Sequence, residues 1–527
     1  MSSQNPTAAG AAPVEDTHID GRKLFTFMCM VFGMFMAILD IQIVSASLSE
    51  IQSGLSASSD EIPWVQTSYL IAEVIMIPLS GYLSRMLSTR WMFAISAGGF
   101  TAMSLLCSTA TSINEMIVYR ALQGFIGGGM IPTVFASAYL IFPRAKFNIV
   151  SPLIGLVATL APTIGPTLGG YLTEYFSWHW LFLINVVPGV FVTIAAIILI
   201  DFDEPDFSLF EKLDWTGLAG LAVFLGSLEY VLEEGASDDW FQSETILFLT
   251  ISSSIGAFVF FWRAFTADEP IVDLRAFSDT NFTMGSIFSF TMGIGLYGLT
   301  YLYPVYLAGI RDYNALQIGE TMFVSGAAMF LAAPLAGRLM SVLDPRAMMG
   351  LGFAGFALGT WMVTGITKDW DFWELFVPQI LRGVSLMICM VPINNIALGL
   401  LPPHMIKNAS GLFNLTRNLG GAVGLAVINT MLTNRQDFHY ERLSESINGS
   451  RHVVTETIAG IAHAYSSLGT AADSAALATI SNMVTREAFV MSFADLFLVL
   501  TGLFAALLVA LVFVKKPQAM GGGGGGH

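Results

Sequence analysis

The chain has 527 residues, of which 54% are hydrophobic and 12% charged, and a formal net charge of −16. A soluble domain carries about 25% charged residues, so there are too few charges here to coat several water-facing domains. The acidity also excludes a nucleic-acid partner, which needs a basic face. The mean hydropathy of +0.67, with 40 Phe, 26 Met and 50 Gly, points to a lipid-facing surface over closely packed helices. Cys29, Cys107 and Cys389 all fall inside apolar runs with no CxxC spacing, which predicts neither a disulfide frame nor a zinc site.

Residues 1–23 read as a disordered, Ala/Ser/Pro-rich cytoplasmic tail. The apolar run that follows is too long, and followed by too many others, for a cleavable signal peptide. A bilayer core needs about 20 apolar residues per helix. Windows of that size predict fourteen spans, starting near Leu24, Pro63, Met92, Glu115, Asn148, Trp178, Trp215, Glu244, Asn281, Gln317, Ala347, Glu374, Ile406 and Ala488. An open β architecture is excluded because lipid cannot satisfy its edges.

Arg22, Lys23, Arg85, Arg90, Arg144, Lys146, Lys212, Arg263, Arg275, Arg338, Arg346, Lys407, Lys515 and Lys516 fall on one side of these spans. By the positive-inside rule that side is cytoplasmic and holds both termini. The acidic segment 201–214 stays on it, because Asp and Glu weigh little in topology. The one long outer loop runs over 433–487 and alternates Ala-rich and charged stretches that can form helices, and residues 515–527 read as a cytoplasmic tail with a Gly-rich linker.

The chain also repeats itself. Gly81-Tyr82-Leu83 leads to Arg90 as Gly337-Arg338-Leu339 leads to Arg346, and Arg120-Ala121-Leu122-Gln123-Gly124 is answered by Gln379-Ile380-Leu381-Arg382-Gly383 about 257 residues later. This is the pattern of two repeated transporter halves. The expected architecture is an all-α polytopic membrane protein with six-helix halves over 24–201 and 280–514 and two inserted helices over 202–279.

At this point the residues resemble the major facilitator superfamily, specifically its fourteen-helix drug:proton antiporters of the EmrB/QacA type and within them the EmrB group. Leu39-Asp40-Ile41-Gln42-Ile43-Val44-Ser45 is similar to the first-helix signature, with Gln and Ser replacing the usual Thr and Asn. Arg120, Gln123 and Gly124 match the fourth-helix motif. Gly155 with Pro162-Thr163-Ile164-Gly165-Pro166-Thr167-Leu168-Gly169-Gly170 matches the fifth-helix antiporter motif. The runs Trp178–Gly189 and Pro270–Leu274 narrow the resemblance toward the EmrB group. Arg85 departs from the superfamily pattern, standing where most members carry Asp, but the EmrB group commonly has a basic residue there.

The resemblance implies export of varied hydrophobic toxic compounds across the bacterial inner membrane by alternating access. It implies no cofactor and a proton gradient as the drive. It further implies a tripartite pump with a periplasmic EmrA-like membrane-fusion adaptor and an outer-membrane TolC-type channel. It also makes the first and fourth spans neighbours. The alternative is an exporter dedicated to one metabolite, such as a siderophore or fatty acid. An ATP-driven pump would need GxxxxGK[ST], and the common hydrolases HExxH or GxSxG; none of these is present.

Ionisable groups inside a bilayer cost several kcal/mol, so each is a functional candidate. At 1.5 Å per residue, Asp40 and Arg120 lie at similar depth, roughly 10 Å from the outer end. They form either a switchable proton-coupling pair or a permanent ion pair. Glu73 reads as a second proton site, a cationic-drug site or a hydrogen-bonded neutral carboxyl. Glu229, on an inserted helix, is expected to lie away from the cavity. Arg382 and Arg417 either supply positive potential to substrates or bind helix carbonyls. Tyr297 with Tyr301, and Asn414 with Asn418, are spaced by four and share helix faces; together with Gln123 they are candidate substrate contacts or packing residues. Gly155, Pro162, Gly165, Pro166, Gly169 and Gly170 combine close approach with bends and are assigned to gating, as are Gly81, Arg85 and Arg90 in the loop after the second span. The 433–487 loop is either an adaptor contact or a spacer.

Overall fold

The computed structural model describes residues 21–514 except 46, 59, 144–145 and 449. The tails over 1–20 and 515–527, with Lys515, Lys516 and Arg144, lie outside the described residues. Among the described residues the protein is built from helices and contains no strand.

The first half runs through α1 (Gly21–Ser45), the short α2 (Leu48–Leu55), α3 (Trp64–Ser108), α4 (Ile113–Gly127), α5 (Met130–Ile141), α6 (Phe147–Tyr175), α7 (Trp180–Leu183) and α8 (Val186–Leu199). Ser88, at φ 74° and ψ 158°, breaks the 45-residue α3 into two spans. The α4/α5 and α7/α8 pairs each make one span with a local interruption. The insertion comprises α9 (Ser208–Glu211), α10 (Trp215–Glu234) and α11 (Glu244–Thr266). The second half comprises α12 (Thr280–Arg311), α13 (Ala315–Val342), α14 (Pro345–Val363), α15 (Phe372–Leu398), α16 (Pro403–Glu445), α17 (His452–Ala464) and α18 (Ala472–Ala510).

Each expected span has its helix. Eleven stretches are long and apolar enough to cross a membrane by length and composition, and one of them, Trp64–Ser108, holds two spans. The helices α14 and α16 complete the set at lower hydropathy.

Close backbone approach organises the bundle. A Cβ on Gly169 would meet the Ile43 carbonyl at 2.9 Å, and one on Gly165 would strike Gln42, so α6 lies tight against α1. On its other side α6 faces α13, where the Thr167 hydroxyl donates to the Gly319 carbonyl at 2.9 Å. The helix therefore touches both halves, and Pro152, Pro162 and Pro166 interrupt its hydrogen-bond ladder.

The outer loop differs from a plain connector. The 43-residue α16 runs to Glu445, and α18 begins at Ala472. At 1.5 Å per residue, α16 is about 65 Å long, roughly twice a bilayer core. The two helices project together. Asp495 accepts from Arg435 at 2.6 Å and pairs with His439 at 2.7 Å, and α17 packs on α18.

Candidate proton and substrate site

A fully buried polar cluster joins α1, α3, α4 and the α7/α8 junction. Arg120 Nη1 donates to Asp40 Oδ2 at 2.6 Å and to Gln123 Oε1 at 2.7 Å, while Nε donates to the Val65 carbonyl at 3.1 Å. Asn185 Nδ2 donates to Asp40 Oδ1 at 2.7 Å, and Gln123 Nε2 reaches Oδ1 at 3.4 Å and Ser104 Oγ at 2.8 Å. The guanidinium lies over the Tyr69 ring, 4.2 Å from its centroid. Both charged side chains are fully buried. Burying two charges is costly unless good geometry and further hydrogen bonds compensate, and here several donors converge on one carboxylate. A proton arriving on Asp40 would cancel its charge and release Arg120, so the cluster can store one proton in exchange for the ion pair.

A cavity of about 300 Å³ lies near the same end of the bundle. Tyr297, Tyr301, Asn418, Pro166 and Glu73 line it, as do Gln42, Gln66, Glu229 and Glu233. Its volume is at the lower bound for small-molecule pockets. A larger cavity of about 910 Å³ at the opposite end is lined by charges of both signs, including Arg85, Asp203, Glu269 and Lys407. None of the expected substrate contacts borders it, so the smaller cavity is the candidate site.

Several expectations change here. Glu229 is not remote from the cavity but lines it, because α10 packs between α3 and α16 rather than only against α11. Asn414 points away: it is buried and donates to the Ser410 carbonyl of its own helix at 2.8 Å. Gln123 belongs to the Asp40 cluster and not to the cavity wall. Arg382 and Arg417 are also off the wall. Arg382 donates to Thr300 Oγ1 at 2.7 Å and reaches the Leu296 carbonyl at 3.4 Å. Arg417 donates to Asn394 Oδ1 at 3.2 Å and lies 5.2 Å from the centroids of the Phe135 and Phe413 rings.

The gating candidates separate by position. Gly155 has only ordinary contacts, the nearest being Met387 and Met390 at 3.8 Å. Gly170 is buried, and its carbonyl accepts from Thr173 at 3.2 Å. Gly81, Arg85 and Arg90 lie together at the opposite end from the 300 Å³ cavity. A Cβ on Gly81 would meet the Lys407 carbonyl at 2.9 Å. Arg85 sits 3.8 Å from Glu269, and Arg90 pairs with Asp201 and donates to the Ile200 carbonyl at 2.5 Å. Lys407 of the second half pairs with Asp203 and donates to the Ser84 carbonyl at 3.0 Å. The contacts of Lys407 with Gly81 and Ser84 latch the halves together at that end, with Asp203 and Glu269 of the insertion beside them.

Sequence reasoning missed Asn185, Ser104, Gln66, Glu233 and the Lys407–Asp203 pair. Two of these left a signal. Asn185 is a lone amide in an apolar run, and Gln66 stands seven residues before Glu73, on the same helix face.

The sequence matches the model of the Major Facilitator Superfamily over residues 30–425. The chain belongs to this family. It is 42% identical over 494 residues to the colistin resistance protein EmrB of Acinetobacter baumannii, covering 93% of this chain and 96% of that one. It is 31% identical over 514 residues to the multidrug export protein EmrB of Escherichia coli K12, covering 96% and 98%, and 30% identical over 494 residues to the fatty acid resistance protein FarB of Neisseria gonorrhoeae, covering 94% and 96%. The fold recurs in the human organic anion transporter MFSD10, with a TM-score of 0.58 at 13% identity over 92% of this chain and all of that one. It recurs also in the proton:xylose symporter XylE, at 0.56 and 13% over 78% and 89%. This major facilitator of the EmrB type is thus an efflux transporter and a multi-pass inner-membrane protein, and not an enzyme.

Proposed function

We propose that this transporter exchanges protons for small hydrophobic toxic compounds, with Asp40 as the proton carrier and Arg120 as its switchable partner. The observation that carries the reading is the fully buried Asp40–Arg120 contact at 2.6 Å, close to a cavity of a size to take a drug. In the cycle, Asp40 takes a proton from the outer side, Arg120 is released, and α6 flexes at its prolines as the latch at Lys407 opens. Asp40 then gives its proton to the cytoplasm and pairs again with Arg120 as substrate enters from that side, and the loaded transporter closes the latch and releases substrate outward.

Both termini face the cytoplasm in this reading. The chain divides into halves over 24–201 and 280–514 around an insertion over 202–279. The projecting α16–α18 hairpin faces the periplasm and docks an EmrA-like adaptor, which continues to a TolC-type channel. The names of the relatives support drug export, and FarB keeps a fatty acid as the alternative substrate. The carboxylates of the cavity wall favour neutral or cationic compounds over that anion.

The test is proton release from acidified inside-out vesicles on adding a panel of hydrophobic drugs, comparing the intact protein with Asp40→Asn. Drug-triggered release that disappears in the variant is expected. Release that persists in Asp40→Asn removes Asp40 from the coupling path, and no release by any drug in the intact protein overturns antiport.

A further inference from the structure

The inserted helices stand outside the two repeated halves, and the exchange cycle proposed above gives them no part. Here α10 is not a bystander. It packs against α3 of the first half and α16 of the second. The Thr67 hydroxyl donates to Glu234 at 3.0 Å, the Trp64 and Tyr230 rings meet tilted with centroids 5.3 Å apart, and Trp240, just beyond α10, donates from Nε1 to Thr430 Oγ1 at 3.0 Å. So fixed to both halves, α10 turns two carboxylates four residues apart, Glu229 and Glu233, onto the wall of the 300 Å³ cavity.

The same cavity is lined by Glu73 and Gln66 from α3, the helix against which α10 packs. These two show that acceptors point inward without an internal partner. Glu73 is 2% exposed and Gln66 8% exposed, and Oε1 of each has no hydrogen-bond partner among the described residues. A buried acceptor left unpaired is costly, so a site that keeps two of them is made for a donor. No Lys, Arg or His lines the cavity, and Tyr297 and Tyr301 add aromatic faces that attract cations. A metal ion is a poor fit, because no three acidic, His or Cys side chains among the described residues are close enough together to hold one. Carboxylates spread across one cavity, and not gathered on a point, fit a ligand whose charges are themselves spread apart.

We infer that the inserted helix α10 supplies, through Glu229 and Glu233, half of a binding site for elongated organic dications, the other half being Glu73 and Gln66 on α3. One ammonium group donates to the α10 pair and the other to the α3 pair, with the apolar middle of the ligand against Leu70, Val74 and Val305. The inference rests on the cavity's being the transport site, as proposed above.

The experiment is calorimetric binding of octane-1,8-diamine and octylamine to the purified full-length protein in lipid nanodiscs. The diamine is expected to bind about tenfold more tightly than the monoamine, the effect of one further charge-assisted hydrogen bond. Glu229→Gln with Glu233→Gln is expected to bring the two affinities together, each single variant giving part of the change, while the thermal unfolding midpoint confirms a folded protein. Equal affinities in the intact protein overturn the inference, as does a preference that survives the double variant. Proton release by the same amines in vesicles separates the two readings. A diamine preference without proton release leaves the dication site and removes antiport; proton release without the preference does the reverse.

Discussion

The two halves meet their fourth spans in the same way and then use them differently. In α4, Gly124 abuts the Tyr69 carbonyl of α3; in α15, Gly383 abuts the Ser325 carbonyl of α13. The backbone crossing is repeated. Aligned on those glycines, however, the polar residues have exchanged places: Arg120 and Gln123 on one side, Gln379 and Arg382 on the other. Each arginine still bonds its glutamine, at 2.7 Å in the first half and 3.4 Å in the second. Only Arg120 has a carboxylate. Arg382 is served instead by the Thr300 hydroxyl, the Leu296 carbonyl and the Tyr303 ring. The small residues at the crossing preserve packing, while the side chains beside it decide whether the buried charge can be neutralised by a proton. In the proposed cycle one half stores a proton and the other holds a fixed positive charge.

The largest expected effect comes from removing each arginine in turn. Arg120→Met strands Asp40 as a buried, unpaired carboxylate and should cost about 3–5 kcal/mol. Arg382→Met strands only neutral acceptors and should cost about 1–3 kcal/mol. Chemical or thermal unfolding in detergent reads both, and equal costs would break the comparison. Adding Asp40→Asn to Arg120→Met sharpens it: stability should largely return, while drug-driven proton release should not. The shared feature gives a second, smaller test. Gly124→Val and Gly383→Val each force a side chain against a carbonyl of the neighbouring helix and should each cost about 1–3 kcal/mol. A variant tolerated on one side only would mean that the repeated crossing is repeated in form and not in energy.

The pair itself was legible because an ionised residue in an apolar run has few explanations, and Asp40 and Arg120 were the two at matching depth. The fourteen spans were legible for the same compositional reason. Which wall α10 forms was not, since a helix's own pattern says that Glu229 and Glu233 share a face but not which neighbours that face meets. Asn414 and Asn418 show the complementary limit. Spaced by four, they sit about 40° apart around α16, and that angle takes Asn418 onto the cavity wall and Asn414 onto the Ser410 carbonyl. That the outer loop's helices continue the spans on either side was hidden by the habit of ending a span where hydropathy falls. Between Gly424 and Gly449 there is no glycine or proline to stop α16, so the helix continues into water once its apolar residues run out.

The smallest expected effect tests the neighbours of each arginine site and not the arginines. Asn185→Leu removes the 2.7 Å donor to Asp40 Oδ1 and leaves that oxygen only the 3.4 Å contact from Gln123. Since hydrogen bonds to charged groups contribute about 1.5–3 kcal/mol, the loss should fall in that range. Thr300→Val removes the 2.7 Å acceptor of Arg382, but the guanidinium keeps a carbonyl, an amide oxygen and a ring, so the loss should be nearer 1 kcal/mol. The two should also differ in kind. Asn185 touches the group proposed to carry the proton, so its replacement should move the pH midpoint of transport, whereas Thr300→Val should change stability and leave that midpoint where it is. A shift produced by Thr300→Val would place the second half's arginine in the proton path and dissolve the division between a storing half and a fixed one.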